Sequence, residues 1–274
     1  MFIQRVICPD EQIGHIKNLE ENGYTVINSY ISDSNLITEI ENLKKLHERF
    51  FSSIEVINSS SPKGLQRIIS NDQVVNNVFY FDKKYIHLAT TGDHLRVISH
   101  FLNDPHYGLI PDSDSNFILS QLNARNGKVP LPYHVDVRLI TPGLATWSMQ
   151  CFLAINEINK KNGSLKVIPG SHLTERMPET SPCNKKEVTL NLNPGDLVIF
   201  YSKLHHATNA GGLEQDSWTI LFTYRSWWCK QQFDISTMVD LNDEQLSKNQ
   251  KLILGLNSRP SSDPFSSPSL RTGY

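Results

Sequence analysis

Tyr133-His134-Val135-Asp136-Val137-Arg138-Leu139 is the stretch on which the reading of this chain turns, and Leu204-His205-His206-Ala207-Thr208 answers it further along. The first reads as a short strand of alternating residues, which puts His134 and Asp136, two positions apart, on one face. An imidazole and a carboxylate on one face, joined by an imidazole from a distant segment, make a facial set of two histidines and one carboxylate. Such a set leaves the other side of the metal open and suits non-haem iron(II). Alone, a His-x-Asp pair is a weak signal, because a surface histidine beside an aspartate is common. Its surroundings decide the matter.

Outward from this stretch, the chain between 116 and 228 breaks into short strand-like segments at 117–122, 133–139, 146–155, 165–168, 188–190, 197–201 and 218–224. Gly, Pro and Asn punctuate them, as in Asn193-Pro194-Gly195-Asp196, and strands at this spacing predict an antiparallel sandwich or barrel. Upstream the periodicity is helical. Asp10 is a candidate N-cap, after which Ile13, Ile16 and Leu19 recur until Gly23 stops the helix, and residues 24–27 read as a first strand. Ser32-Asp33-Ser34 opens a second helix with Leu36, Ile37, Ile40, Leu43 and Leu46 on its apolar side; a third is expected over 91–103. Residues 59–64 read as a loop, Asn242-Asp243-Glu244-Gln245 as the start of a last helix over 246–253, and 258–264 as an extended tail. The expected fold is mainly β with flanking α-helices, around a double-stranded β-helix (a jelly-roll or cupin-like core). One domain is expected, with a helical support region at 1–115, the jelly-roll core at 116–228, and a C-terminal helix and tail at 229–274.

Composition narrows the function classes. The 274 residues are 39% hydrophobic with a formal net charge of −2, an ordinary globular composition with room for one large core. A charge so near zero argues against nucleic acid or an anionic membrane as partner. No apolar run approaches the roughly 20 residues of a membrane span, and Met1-Phe2-Ile3-Gln4-Arg5 has no signal-peptide character. Cys8, Cys151, Cys183 and Cys229 lie far apart without a pairing pattern, as expected of reduced thiols in a cytoplasmic protein.

Between the two histidine segments runs Asn162-Gly163-Ser164-Leu165-Lys166-Val167-Ile168-Pro169-Gly170-Ser171-His172, followed by Pro194-Gly195-Asp196-Leu197. With the opening helix–Gly–Tyr–strand at 11–27 and the His-x-Asp pair, this ordered set resembles the phytanoyl-CoA dioxygenase family of iron(II)- and 2-oxoglutarate-dependent oxygenases over most of the chain. The resemblance implies a double-stranded β-helix, iron(II), 2-oxoglutarate and O₂, and hydroxylation or related oxidation of an unactivated C–H bond of a small-molecule substrate. Asp136 favours hydroxylation over halogenation, because halogenating relatives carry a small residue there. The family pattern sets a hydroxyl residue two positions after the distal histidine, so Thr208 singles out His206 as the third ligand and turns His205 the other way.

The resemblance also implies polar contacts to 2-oxoglutarate, for which Asn123, Gln121 and Gln150 are the candidates. One departure stands out. The family places an arginine eleven positions after the distal histidine, for the far carboxylate of 2-oxoglutarate, and this chain has Ser217 there. Arg225 shares its strand parity but lies about 26 Å further on. Arg138, two beyond Asp136, is the best-placed substitute by parity, with Arg125 and Lys166 behind it, and the Ser217 hydroxyl offers a weaker contact. Two other readings stay open: an iron oxygenase that does without 2-oxoglutarate, and an inactive metabolite-binding relative.

Overall fold

The computed structural model describes residues 2–32, 36–55, 73–103, 115–127, 130–179, 186–209, 215–240 and 243–256. In chain order, α1 (Pro9–Asn22), β1 (Tyr24–Ile27), α2 (Leu36–Glu55), β2 (Gln73–Val75), α3 (Lys84–Thr90) and α4 (His94–Leu102) come first. Then follow β3 (Phe117–Asn126), β4 (Leu131–His134), β5 (Ser148–Ala154), β6 (Leu165–Val167), β7 (Val188–Thr189), β8 (Leu197–Tyr201), β9 (His206–Thr208), β10 (Trp218–Ser226) and α5 (Lys248–Ile253). Two antiparallel sheets result, β1-β8-β5-β10-β3-β2 and β4-β9-β6-β7, and together they form the jelly roll.

Alternation along β10 shows how the layers arise. Trp218, Ile220, Phe222 and Tyr224 are fully buried and share one face, while Leu221 and Arg225 on the other line the cavity between the sheets. The first face meets α4: His94 Nε2 lies 3.0 Å from the Tyr224 hydroxyl, and His94 Nδ1 lies 2.6 Å from the Tyr30 hydroxyl. Tyr224 spends its own proton on the Ala89 carbonyl at 2.7 Å, so it accepts from Nε2–H, and Nδ1 accepts from Tyr30. Complete burial drags the His94 pKa down to about 3, so this ring is a neutral structural link. β5 and β8 are buried along their whole length, the mark of central strands covered on both faces.

Gly23 joins the first helix to this framework. It takes φ +82°, closes α1 by donating to Leu19, and leaves no room for a side chain: a Cβ would lie 2.5 Å from His172 Nδ1 and 2.7 Å from Leu204 Cδ1. The helix end is thereby packed against His172 and against Leu204, two residues before His206. The Pro-Gly-Asp turn is tied down by buried Asp196, which accepts from the Ser29 and Asn193 amides, both at 2.8 Å.

Several expectations need correction. The region before residue 116 is not only a helical support, since β1 and β2 form the two edges of the six-stranded sheet. The strand read over 133–139 stops at His134, because the Asp136 amide donates to Ser202 at 2.7 Å and turns out of the ladder. Cys8, not Asp10, is the N-cap of α1, with Glu11 accepting from its amide at 3.2 Å. The last helix starts at Lys248, where Ser247 and Gln250 cap each other, and the helix read over 91–103 runs His94–Leu102. The 59–64 loop, the 258–264 tail and Cys183 lie outside the described residues, while Cys8, Cys151 and Cys229 are free thiols. No described helix is long and apolar enough to cross a membrane.

Candidate metal centre and its cavity

His134 ends β4, His206 begins β9, and the two residues pair across the ladder. The bend at Asp136 brings its carboxylate between them: Oδ1 is 3.5 Å from His134 Nε2 and Oδ2 is 3.5 Å from His206 Nε2. All three ligand atoms lie within 4.8 Å of one another, the one such cluster among the described residues. His206 is 6% exposed, whereas His134 and Asp136 keep about a third of their side-chain surface, at 33% and 31%. The site is thus open on one side.

The backbone prepares both rings. His134 Nδ1 lies 2.8 Å from the Pro132 carbonyl and His206 Nδ1 lies 2.9 Å from the Leu204 carbonyl. A ring that donates through Nδ1 presents the Nε2 lone pair, the tautomer a metal needs. Burial pulls the His206 pKa down against the pull of Asp136. Burial acts the same way on His134, but Asp136 and the Pro132 carbonyl outweigh it and leave that pKa raised. Asp136 is held below the usual carboxylate range, burial being outweighed by His206, His134 and Arg225. Two neutral nitrogens and one carboxylate, with an open side, fit iron(II).

The cavity in front of this cluster has a volume of about 310 Å³, and its walls come from both sheets. Gln121, Gln150, Phe152 and Leu221 line it from the larger sheet, and Leu131, Leu165 and Thr208 from the smaller. His205 points away, its Nε2 2.8 Å from the Arg176 carbonyl. Gln121, Thr223 and Gln150 form a chain, Gln121 Nε2 donating to the Thr223 hydroxyl at 2.9 Å and that hydroxyl donating to Gln150 Oε1 at 2.7 Å.

The phytanoyl-CoA dioxygenase (PhyH) family model matches residues 19–211. The chain belongs to this family. Among curated proteins it is 28% identical to the "Dioxygenase af480" of Aspergillus fumigatus over 108 residues, 38% of this chain and 34% of that protein. The match therefore spans about a third of that relative's length. Among solved structures, the epimerase SnoN, in complex with Fe³⁺, alpha ketoglutarate and nogalamycin RO, superimposes with a TM-score of 0.58 at 13% identity. That likeness covers 88% of this chain and 93% of SnoN. HygX from Streptomyces hygroscopicus, with nickel, 2-oxoglutarate and hygromycin B bound, gives 0.58 at 14% identity, over 80% of this chain and 88% of its own. At such identities the structural likeness speaks for the fold.

Against the PhyH pattern, the carboxylate end of the cavity is rearranged. Ser217 is buried, and its hydroxyl donates to Gly127 and Asn126 at 3.2 and 3.3 Å. Arg138 is exposed and does not line the cavity, which corrects the parity reading: the strand that carried it ends at His134. Asn123 is turned to framework duties, accepting from the Asn77 amide at 2.9 Å and donating to Gln121 at 3.1 Å. Lys166 pairs with Glu187 at 2.9 Å. Arg125 on β3 does line the cavity, and its guanidinium and the Ser217 hydroxyl both border Gly127, a Cβ there lying 3.8 Å from Arg125 Cζ and from Ser217 Oγ. Arg225 lines the cavity too, at the Asp136 end.

Sequence reasoning missed one supporting residue. Lys203 is only 2% exposed, and its ammonium donates to the carbonyls of Thr141, Gly143 and Ala145 at 2.9, 2.6 and 2.7 Å. Its neighbours Ser202 and Leu204 hold Asp136 and the His206 ring, so one short segment orients two ligands and the loop beyond them. A lysine directly before Leu204-His205-His206 in an otherwise apolar run was the available signal.

Proposed function

We propose that the protein is an iron(II)- and 2-oxoglutarate-dependent dioxygenase that oxidises an unactivated C–H bond of a small molecule. The observation that carries this reading is the His134–Asp136–His206 cluster at the mouth of a cavity in a PhyH-family jelly roll. His134, Asp136 and His206 would hold the metal. Iron(II) with 2-oxoglutarate and O₂ supplies the oxidising power, the four electrons coming from the decarboxylated 2-oxo acid and the substrate C–H bond.

The remaining residues bind, orient and exclude water. Arg125 lines the cavity, borders Gly127 as Ser217 does, and offers the fork that a carboxylate takes best, so it takes the far carboxylate of 2-oxoglutarate that the family gives to an arginine at the Ser217 position. Thr208 and the Gln121–Thr223–Gln150 chain add polar contacts on the same side of the metal. Phe152, Leu165, Phe200 and Leu221 keep the rest of the cavity apolar, which limits bulk water around the reacting atoms. We place its action in the cytoplasm on a diffusible small molecule; no described helix is long and apolar enough to cross a membrane.

The test is metal content together with succinate formation. Protein reconstituted with iron(II) without oxygen should retain one iron per chain, and admitting O₂ with 2-oxoglutarate should yield succinate. His206→Ala and Asp136→Ala should each lose the iron. Full iron occupancy in both variants would remove the assignment; iron without succinate would leave an oxygenase of another kind.

A further inference from the structure

Two arginines line one cavity and stand at opposite ends of it. Arg125 faces Thr219 across the β3–β10 ladder, while Arg225 lies six residues further along β10, opposite Ser148 of β5. That separation is about 20 Å along the strand. The metal-ligand cluster lines the same cavity as both. A 2-oxo dicarboxylate bound at the cluster through its oxo-acid end has one free carboxylate, and one arginine suffices for it.

Arg225 therefore has no part in holding the cosubstrate, yet it is not an ordinary surface charge. It is half-buried, and two contacts fix its plane: Cζ lies 5.6 Å above the Trp147 ring, and Nη1 donates to the Lys230 carbonyl at 3.1 Å. Its Nε is buried with no hydrogen-bond partner among the described residues. No carboxylate among them forms an ion pair with it, and the carboxylate it senses, Asp136, belongs to the metal-ligand cluster. Removing a guanidinium from water without a counter-charge is unfavourable unless something brings that charge. Its fork matches a carboxylate best.

We propose that Arg225 receives a carboxylate of the substrate, so that the C–H bond attacked belongs to a small carboxylic acid. This inference rests on the reading of the site as an iron- and 2-oxoglutarate-binding centre. Trp147 backs the guanidinium, and Gln232 on the cavity wall gives the acid a neutral polar neighbour. An acid anchored there extends from the Arg225 end towards the open side of the metal, while 2-oxoglutarate occupies the Arg125 end. The two carboxylates never compete for one arginine.

The experiment uses the full chain loaded with nickel(II) and 2-oxoglutarate, which binds without turning over. It is titrated with a matched series of monocarboxylic acids and their primary amides, followed by ligand-observed NMR. Wild type should bind acids roughly 10- to 100-fold more tightly than the matching amides, the worth of a charge-assisted hydrogen-bond pair. Arg225→Met should erase that difference while amides still bind, and Arg225→Lys should keep part of it. The 2-oxoglutarate affinity, read by calorimetry, should be alike in all three. Equal binding of acids and amides by wild type, or an acid preference that survives Arg225→Met, overturns the proposal. So does a loss of metal or 2-oxoglutarate affinity in Arg225→Met with the acid preference intact, which would make Arg225 a charge balance for Asp136. Failure of metal-loaded wild type to bind 2-oxoglutarate brings down the oxygenase reading itself, and this proposal with it.

Discussion

In the proposed site, Arg125 takes over the work that the family pattern gives to an arginine at position 217. An arginine at 217 would reach the cavity from the start of β10; Arg125 reaches it from β3, the neighbouring strand, and borders Gly127 as the Ser217 hydroxyl does. Transfer between adjacent strands is geometrically cheap, because paired strands are about 4.8 Å apart and an arginine side chain spans that gap. The consequence is specific to one end of the ligand. Arg125→Met should weaken 2-oxoglutarate binding by about 100-fold, measured by calorimetry on the nickel-loaded protein, the range for losing one partner of a hydrogen-bonded charge pair. 2-Oxovalerate has the same oxo-acid end and no far carboxylate, so its affinity should barely change. Adding Ser217→Arg to Arg125→Met should recover much of the loss. Equal losses for both ligands would show that Arg125 serves the fold and not the carboxylate.

At the scale of elements, what was legible in the sequence was whatever local periodicity controls. The alternation of 218–224 and the turn at Pro194-Gly195 needed only pleat geometry and turn chemistry. The end of β4 was not legible, because residues 135–139 keep alternating and the reason they leave the ladder is Ser202, a partner remote in sequence. Arg138 was misplaced by the same cause, since parity means nothing once the strand has stopped. The candidate metal ligands were readable as residues; Arg125 was readable only as one cation among several, because which of them reaches the cavity depends on which strands become neighbours. Lys203 belongs to this class. By holding three carbonyls of the 141–145 loop, it fixes the path of the chain just after Asp136. Lys203→Met would leave those carbonyls without their donor and should cost about 2–4 kcal/mol. In a chain of this size that is a fall of about 4–16 °C in the melting midpoint by scanning calorimetry. Iron affinity should fall with it, and an unchanged midpoint with unchanged iron uptake would reduce Lys203 to an incidental buried lysine.

Across the whole molecule, the two sheets are held together very unequally. The large buried cluster joins the six-stranded sheet, the helices and β6 of the smaller sheet through Leu165 and Val167, whereas Tyr133, Ile168 and Ala207, beside β4 and β9, form a separate cluster of three. β4, β6, β7 and β9 are only two to four residues long, so few ladder bonds hold that layer. Two of the three ligand residues are a cross-strand pair in it, and the third is the bend directly after β4. A bound metal therefore clips the weaker layer, and its binding energy goes mainly to that layer's local stability. At a free-metal concentration 100 times the dissociation constant, the gain is about 2.7 kcal/mol. Hydrogen–deuterium exchange should locate it: adding nickel(II) to chelator-treated protein should slow exchange at 131–136 and 204–208, leaving the central strands at 148–154 and 218–226 nearly unchanged. Asp136→Ala should show no slowing at any metal concentration. Protection spread evenly over both sheets would mean that the jelly roll opens as one unit, and the smaller sheet would then not be the layer that the metal staples.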